Sequence, residues 1–247
     1  FTACGAKSDS DMATIKKNGK IVVGITDYAP MDYKDENGEW TGFDAELARL
    51  FAEEIGVECE FFVIGDWGKK FMELDTKSID AVWNGMTITD EAKNNASVSD
   101  AYVINAQVLV MKADVVANYA DAASIADLAV AVENGSAGED AATEAGIKNI
   151  VKLQDQAAAL LEVKSGTSDV AIIDYVMSIG TLREGSDYAD LKVVEGQEFA
   201  PELYGIAFRK GSDLQAEVNA IITKLVESGK LAEIADKYKL KDFVIAK

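Results

Sequence analysis

A chain of 247 residues with 49% hydrophobic and 27% charged side chains has enough apolar material for a packed core, and its length suits one large or two medium domains. The 43 acidic against 24 basic residues leave a formal charge of -19, which argues against DNA, RNA or an anionic membrane face as a partner. With no histidine and only Cys4 and Cys59, the commonest general base, the Ser-His and Cys-His nucleophile pairs and thiolate zinc sites drop out, so neither a metal nor a cofactor is expected.

The chain opens with "FTACGAKSDSD", small residues before Cys4 and then a small, polar, charged stretch. Small residues before a cut site are what signal-peptide cleavage requires. This stretch resembles the end of a bacterial lipoprotein signal, which implies that Cys4 carries the lipid, that residues 1–12 are a tether and that the protein works outside the cytoplasm. No apolar run reaches the ~18 to 20 residues that a membrane helix needs.

"KIVVGI" (20–25) is an apolar run of strand length ending in the turn "TDYAPMDY". Phe43, Leu47, Leu50, Phe51 and Ile55 then recur at helical spacing, with Gly56 placed to end the helix. "VECEFFVI" (57–64) and "SIDAVWNGM" (78–86) read as strands around the helical segment "WGKKFMELDT". A second unit repeats the alternation, with strands at 106–112, 128–134, 149–154 and 168–174 and helical segments between them. One more strand, "YGIAFRKG" (204–211), precedes two closing helices. Alternating strands and helices predict an α/β fold built on mostly parallel sheets flanked by helices, in two lobes. In such sheets ligands sit beyond the carboxyl ends of the strands. The loops there are "TDYAPMDY", "GDWGKK", "NGMTITDE", "NGSAGED" and "DYVM".

The ordered pieces "ITDYAPMDYKDENGEWTGFDAELARLFAEEIG", "SIDAVWNGMTIT", "SDAYV", "VAVENGSAGEDA", "DVAIIDY", "YGIAFRKGSDL" and "ESGKLAEIADKY" together resemble the extracellular solute-binding proteins of family 3, which serve bacterial ABC importers of polar amino acids. The resemblance implies a type II periplasmic-binding-protein-like fold with a two-stranded hinge. It divides the chain into a first lobe of residues 13–105 plus 204–247 and a second of 106–203, with crossings near Asn105 and Leu203. It also implies a monomer that closes over a small solute and delivers it to a membrane permease, with no chemistry done on the solute.

The same resemblance assigns cleft residues. Tyr28 and Trp67 match positions whose aromatic rings sandwich the solute side chain. Asn84, Gly85 and Thr87 lie at a strand end running into a helix start, where free N–H groups favour a carboxylate. Where the family has an arginine for the ligand's α-carboxylate, this chain has Ala92, and Lys93 is rotated ~100° away on a helix. Arg49, Arg183 and Arg209 fall outside the expected cleft loops, and Trp40 and Trp83 read as packing. In the second lobe Ser136, Ala137 and Gly138 match the family's anion-binding loop, with two side chains cut back. Asp174 matches the residue that binds the ligand's ammonium group, and Glu133 adds either a second negative charge or a solvated loop acid. Two ligand readings follow: an amino acid held by Asn84, Thr87 and backbone amides, or a cationic amine without a carboxylate. An enzyme of dehydratase type, with Asp174 and Glu133 as acid and base, is the rival class.

Overall fold

The computed structural model describes residues 10–119, 122–199 and 201–246. Cys4, and with it the expected lipid-bearing terminus, lies outside the described residues. The first part of the chain forms α1 (Asp11–Asn18), β1 (Lys20–Ile25), β2 (Tyr33–Lys34), β3 (Trp40–Thr41), α2 (Phe43–Ile55), β4 (Glu58–Val63), α3 (Lys70–Asp75), β5 (Ala81–Thr87), α4 (Asp90–Asn95), β6 (Ala96–Val98) and β7 (Val103–Asn105). The middle part forms β8 (Gln107–Lys112), β9 (Ala129–Glu133), α5 (Ala137–Glu144), β10 (Asn149–Leu153), α6 (Gln156–Ser165), β11 (Val170–Asp174), α7 (Tyr175–Thr181) and β12 (Leu191–Glu198). The chain then returns as β13 (Glu202–Arg209), α8 (Leu214–Glu227) and α9 (Lys230–Lys237).

Local chemistry accounts for the main elements. α2 buries Phe43, Leu47, Ala48, Phe51 and Ile55 along one stripe, each large side chain worth about 1.5–3 kcal/mol on burial, and Gly56 ends the helix at φ 78°. α6 starts at Asp155, whose carboxylate accepts from Ala158 N at 2.7 Å, and stops at Gly166 with φ 82°.

Two larger sheets result, ordered β4-β1-β5-β13-β6 and β10-β9-β11-β8-β12, with β7 paired to β13 in the first. Both are mixed rather than mostly parallel. β4, β1 and β5 run parallel, as do β10, β9 and β11, whereas β13 is antiparallel to β5 and β8 to β11. The reason is the path of the chain. β5 and β11 end at the cleft, while β13 and β8 begin there, having just crossed from the other sheet, so Tyr204 pairs with Thr87 and Gln107 with Asp174. α8 and α9 pack back on α2 of the first sheet, where Tyr238 donates to Glu46 at 2.9 Å.

Candidate functional site: a closed cleft between two sheets

The carboxyl ends of β5, β9 and β11 face one another across a shared cavity. Its walls are Trp67, Lys70, Asn84 to Thr87, Thr89 and Glu91 on the first side, and Glu133, Gly135 to Ala137, Asp140, Gln156 and Asp174 on the second. The two sides are shut against each other. Asn134 Nδ2 donates to Asp66 Oδ1 at 2.8 Å and Lys70 Nζ to Gly135 O at 3.1 Å. A Cβ on Gly135, itself at φ +70°, would lie 2.5 Å from Gly68 Cα. Away from this contact, a Cβ on Gly180 of α7 would lie 2.7 Å from Pro30 N. Glycine at each point lets backbones meet that any side chain would hold apart.

The first wall is largely committed to its own structure. Asn84 donates to Thr26 Oγ1 at 2.7 Å and accepts from Thr26 N at 2.8 Å, tying β5 to the loop after β1. The Gly85 N–H, expected to be free for a carboxylate, donates instead to Asp44 Oδ2 at 2.7 Å, and Tyr102 holds the same carboxylate at 2.8 Å. Burial pushes the Asp44 carboxyl up to about 7, against the opposing pull of the Gly85 and Tyr102 hydrogen bonds. Thr87 reaches the cavity at the end of β5.

Two expectations for this wall need correction. Tyr28 is no aromatic wall: it is 2% exposed and lies behind Gly85, where an added Cβ would meet its ring at 2.6 Å. Its hydroxyl bonds that of Tyr204 at 2.5 Å, and Tyr204 in turn donates to Asp174 at 2.6 Å. Ala92 does not reach the cavity either. It packs with Ile64, Trp67 and Phe71 in the core beneath α4, and its N–H is capped by Thr89 Oγ1 at 3.1 Å. Among the described residues no arginine lines the cavity. Arg49 donates to Trp40 O at 2.6 Å, and Arg209 binds Asp11 and Asp80 at 3.0 and 2.8 Å.

Trp67 does line the cavity, positioned by Asp66, whose carboxylate accepts from Gly68 N at 3.1 Å. Lys70 follows three residues later, its Nζ 5.0 Å from the centroids of both the Trp67 and Phe71 rings. Desolvation lowers the Lys70 pKa, while Glu91, Glu133 and Asp140 work to raise it.

The second wall has open capacity. Ser136 caps α5, accepting from Glu139 N at 3.3 Å and donating to Glu133 O at 2.8 Å. Ala137 is on the wall, but Gly138 stands behind it, where a Cβ would lie 3.0 Å from Ile172 O. Gly138 thus has a packing reason to lack a side chain. Asp174 accepts from the side-chain amides of Asn105, Gln156 and Gln107, the last at 2.9 Å, as well as from Tyr204. Burial raises its pKa, with Tyr204 and Gln156 opposing. Asn105 and Gln107 also donate to Glu202 at 2.5 and 2.7 Å, and burial followed by the charge of Asp174 lifts Glu202 to about 8. Glu133 is 3% exposed, and its buried Oε1 has no hydrogen-bond partner among the described residues. Burial, then Asp174 and Asp155, push its pKa well above the carboxylate range.

Four carboxylates, Glu91, Glu133, Asp140 and Asp174, thus face one ammonium, Lys70, around the cavity. Burial, followed by Glu139 and Glu91, raises the Asp140 pKa as well. Such a wall attracts positive charge. Lys70, Thr89, Glu91, Asp140 and Gln156 are missed by the sequence reading. Only Lys70 carried a usable signal, since it stands three residues after Trp67, a spacing that sets two helical side chains together. Among the described residues no group of His, Cys, Asp and Glu is arranged to hold a metal ion, and no helix is long and apolar enough to cross a membrane.

Proteins of known type resemble this chain in sequence and in fold. The glutamine-binding protein GlnH of an ABC transporter from Bacillus subtilis is 29% identical, over 98% of this chain and 93% of the relative. The arginine-binding extracellular protein ArtP of the same organism is 31% identical, over 96% of this chain and 92% of its own length. The solved structure of an ArgBP variant from T. maritima is similar at a TM-score of 0.86 and 30% identity, covering 92% of this chain and 98% of that one. That protein has also been solved with arginine bound. Residues 21–241 match the model of one family, and on that match and these relatives the chain belongs to the bacterial extracellular solute-binding proteins, family 3.

Proposed function

We propose that this chain captures an amino acid with a cationic side chain between its two sheets and hands it to the membrane permease of an ABC importer. The observation that carries the cationic preference is Glu133: a buried acid on the cavity wall whose Oε1 lacks a partner. A buried carboxylate is stable in ionised form only when a cation and hydrogen bonds compensate it, and a ligand cation supplies both. Asp174 and Gln156 flank the same position, and relatives named for arginine lend support.

The two sheets move as lobes hinged at Ala106 and between β12 and β13. A ligand touching both walls stabilises the closed form more than the open one, which draws the lobes together. The chain acts on its solute by binding alone, as a monomer, and is anchored through Cys4 to the outer face of the cell membrane. The acidic excess of the wall also favours a second reading, a cationic amine with no carboxylate.

A thermal-shift panel of basic, neutral and acidic amino acids, together with the decarboxylated amine of arginine, tests this, because a bound solute raises the melting temperature by mass action. The largest shift should come from a basic amino acid. A larger shift from the amine selects the second reading, and a larger shift from glutamine or glutamate contradicts the cationic preference. Recovery of the ligand chemically changed after long incubation would overturn the binding-only role.

A further inference from the structure

Among the described residues Lys70 brings the one ammonium on the cavity wall, and it is fixed in place. It is 6% exposed, begins α3, and donates from Nζ to Trp67 O at 3.3 Å and to Gly135 O at 3.1 Å. An ammonium has three N–H groups, so one remains for a further acceptor. Its ammonium nitrogen lies 5.0 Å from the centroids of both the Trp67 and Phe71 rings, which help hold it in place.

Other donors converge on the same cavity. Ser136 Oγ takes the Glu139 N–H and Ser136 O takes the Asp140 N–H, but among the described residues the Ala137 N–H has no intramolecular partner. On the first wall the Thr89 hydroxyl accepts from Ala92 N and keeps its own proton available. Glu133 and Asp174 reach the same cavity at the ends of β9 and β11. The cavity therefore offers both acceptors for a cation and donors for an anion.

We propose that Lys70 is a specificity-determining residue that holds the carboxylate of the ligand, with the Ala137 N–H and the Thr89 hydroxyl completing its seat. Because Lys70 comes from the first lobe and Ala137 from the second, a carboxylate placed there bridges both and favours closure. The proposal rests on the reading above that the ligand is an amino acid. A rival role for Lys70 exists in its bond to Gly135 O, which could merely fasten the lobes; that role would serve any ligand, with or without a carboxylate.

Calorimetric titration of wild type, Lys70→Met, Lys70→Gln and Lys70→Arg with arginine and with its decarboxylated amine separates these roles. Lys70→Met and Lys70→Gln should weaken arginine by at least ~30-fold, the cost expected for truncating one partner of a buried charge pair. Both should leave the amine within ~3-fold or tighter, which also shows that the variants fold. Lys70→Arg should recover part of the arginine affinity. Equal losses for arginine and amine, or no loss for arginine, overturn the proposal while leaving the amino-acid reading standing. A wild type that prefers the amine to arginine overturns both, and that failure is visible before any variant is made.

Discussion

The two walls of the cleft are built from the same kind of element, strand ends running into helix starts, yet they stand in opposite states. On the first wall Asn84 is bonded at both ends of its amide to Thr26, and the Gly85 N–H is held by Asp44. On the second, Glu133 Oε1 and the Ala137 N–H have no partner among the described residues. The first wall is a scaffold that contributes shape and the Lys70 ammonium, and the second holds the groups whose compensation awaits a ligand. Selectivity for a ligand's positive charge should therefore respond to the second wall, and stability to the first wall's Asn84 and Gly85.

The sharpest break of that contrast is Glu133→Gln, which keeps shape and removes charge. Arginine affinity should fall by ~100-fold, as for a buried charge pair that loses one partner, while the ligand-free protein melts no lower than wild type. Calorimetry and a thermal melt read the two halves. Asn84→Ala should behave in the opposite sense. It leaves the Thr26 backbone N–H without its buried acceptor, so urea denaturation should report a loss of about 2–3 kcal/mol, with ligand affinity changed less than ~10-fold.

Gly180→Ala addresses how the walls come together. Its Cβ would lie 2.7 Å from Pro30 N in the closed form, whereas in the last turn of α7 alanine is no worse a helix former than glycine. The variant should be no less stable than wild type without ligand, yet bind ~10-fold more weakly and scatter X-rays as a more open particle when ligand is present.

The smallest expected effect is on pH. Asp44 rises from 3.8 to about 7 and Glu202 from 4.5 to about 8 in the folded protein. Between these limits the folded state holds protons that the unfolded chain has released, so their contribution to stability is full below the unfolded values and is lost as pH rises through the folded ones. Urea midpoints should therefore increase as pH falls from 8 to 5. Asp44→Asn should flatten the part of that slope below pH 7.

Much of the architecture was legible because its signals are local. "KIVVGI" forms β1 with the same limits, and the apolar stripe from Phe43 to Ile55 with Gly56 at its end forms α2. Loop positions were legible too: Trp67, Asn84, Gly85, Thr87, Glu133, Ser136, Ala137 and Asp174 all reach the cavity wall. What escaped was the hydrogen-bonding state of those residues. Asn84 finds Thr26 from 58 positions away and Gly85 finds Asp44 from 41, partners that no periodicity reveals. Tyr28 was misplaced for the same reason, since its hydroxyl partner Tyr204 lies 176 residues on, across the chain's return from the second lobe. β12 went unassigned because "LKVVEGQE" neither alternates nor forms an apolar run.

Titration with arginine and with its neutral ureido isostere, which matches its shape and differs in charge, reads whether the closed cavity is built for positive charge. Arginine should bind at least ~100-fold more tightly, with the gap collapsing in Glu133→Gln. Equal affinities in the wild-type protein would contradict the account.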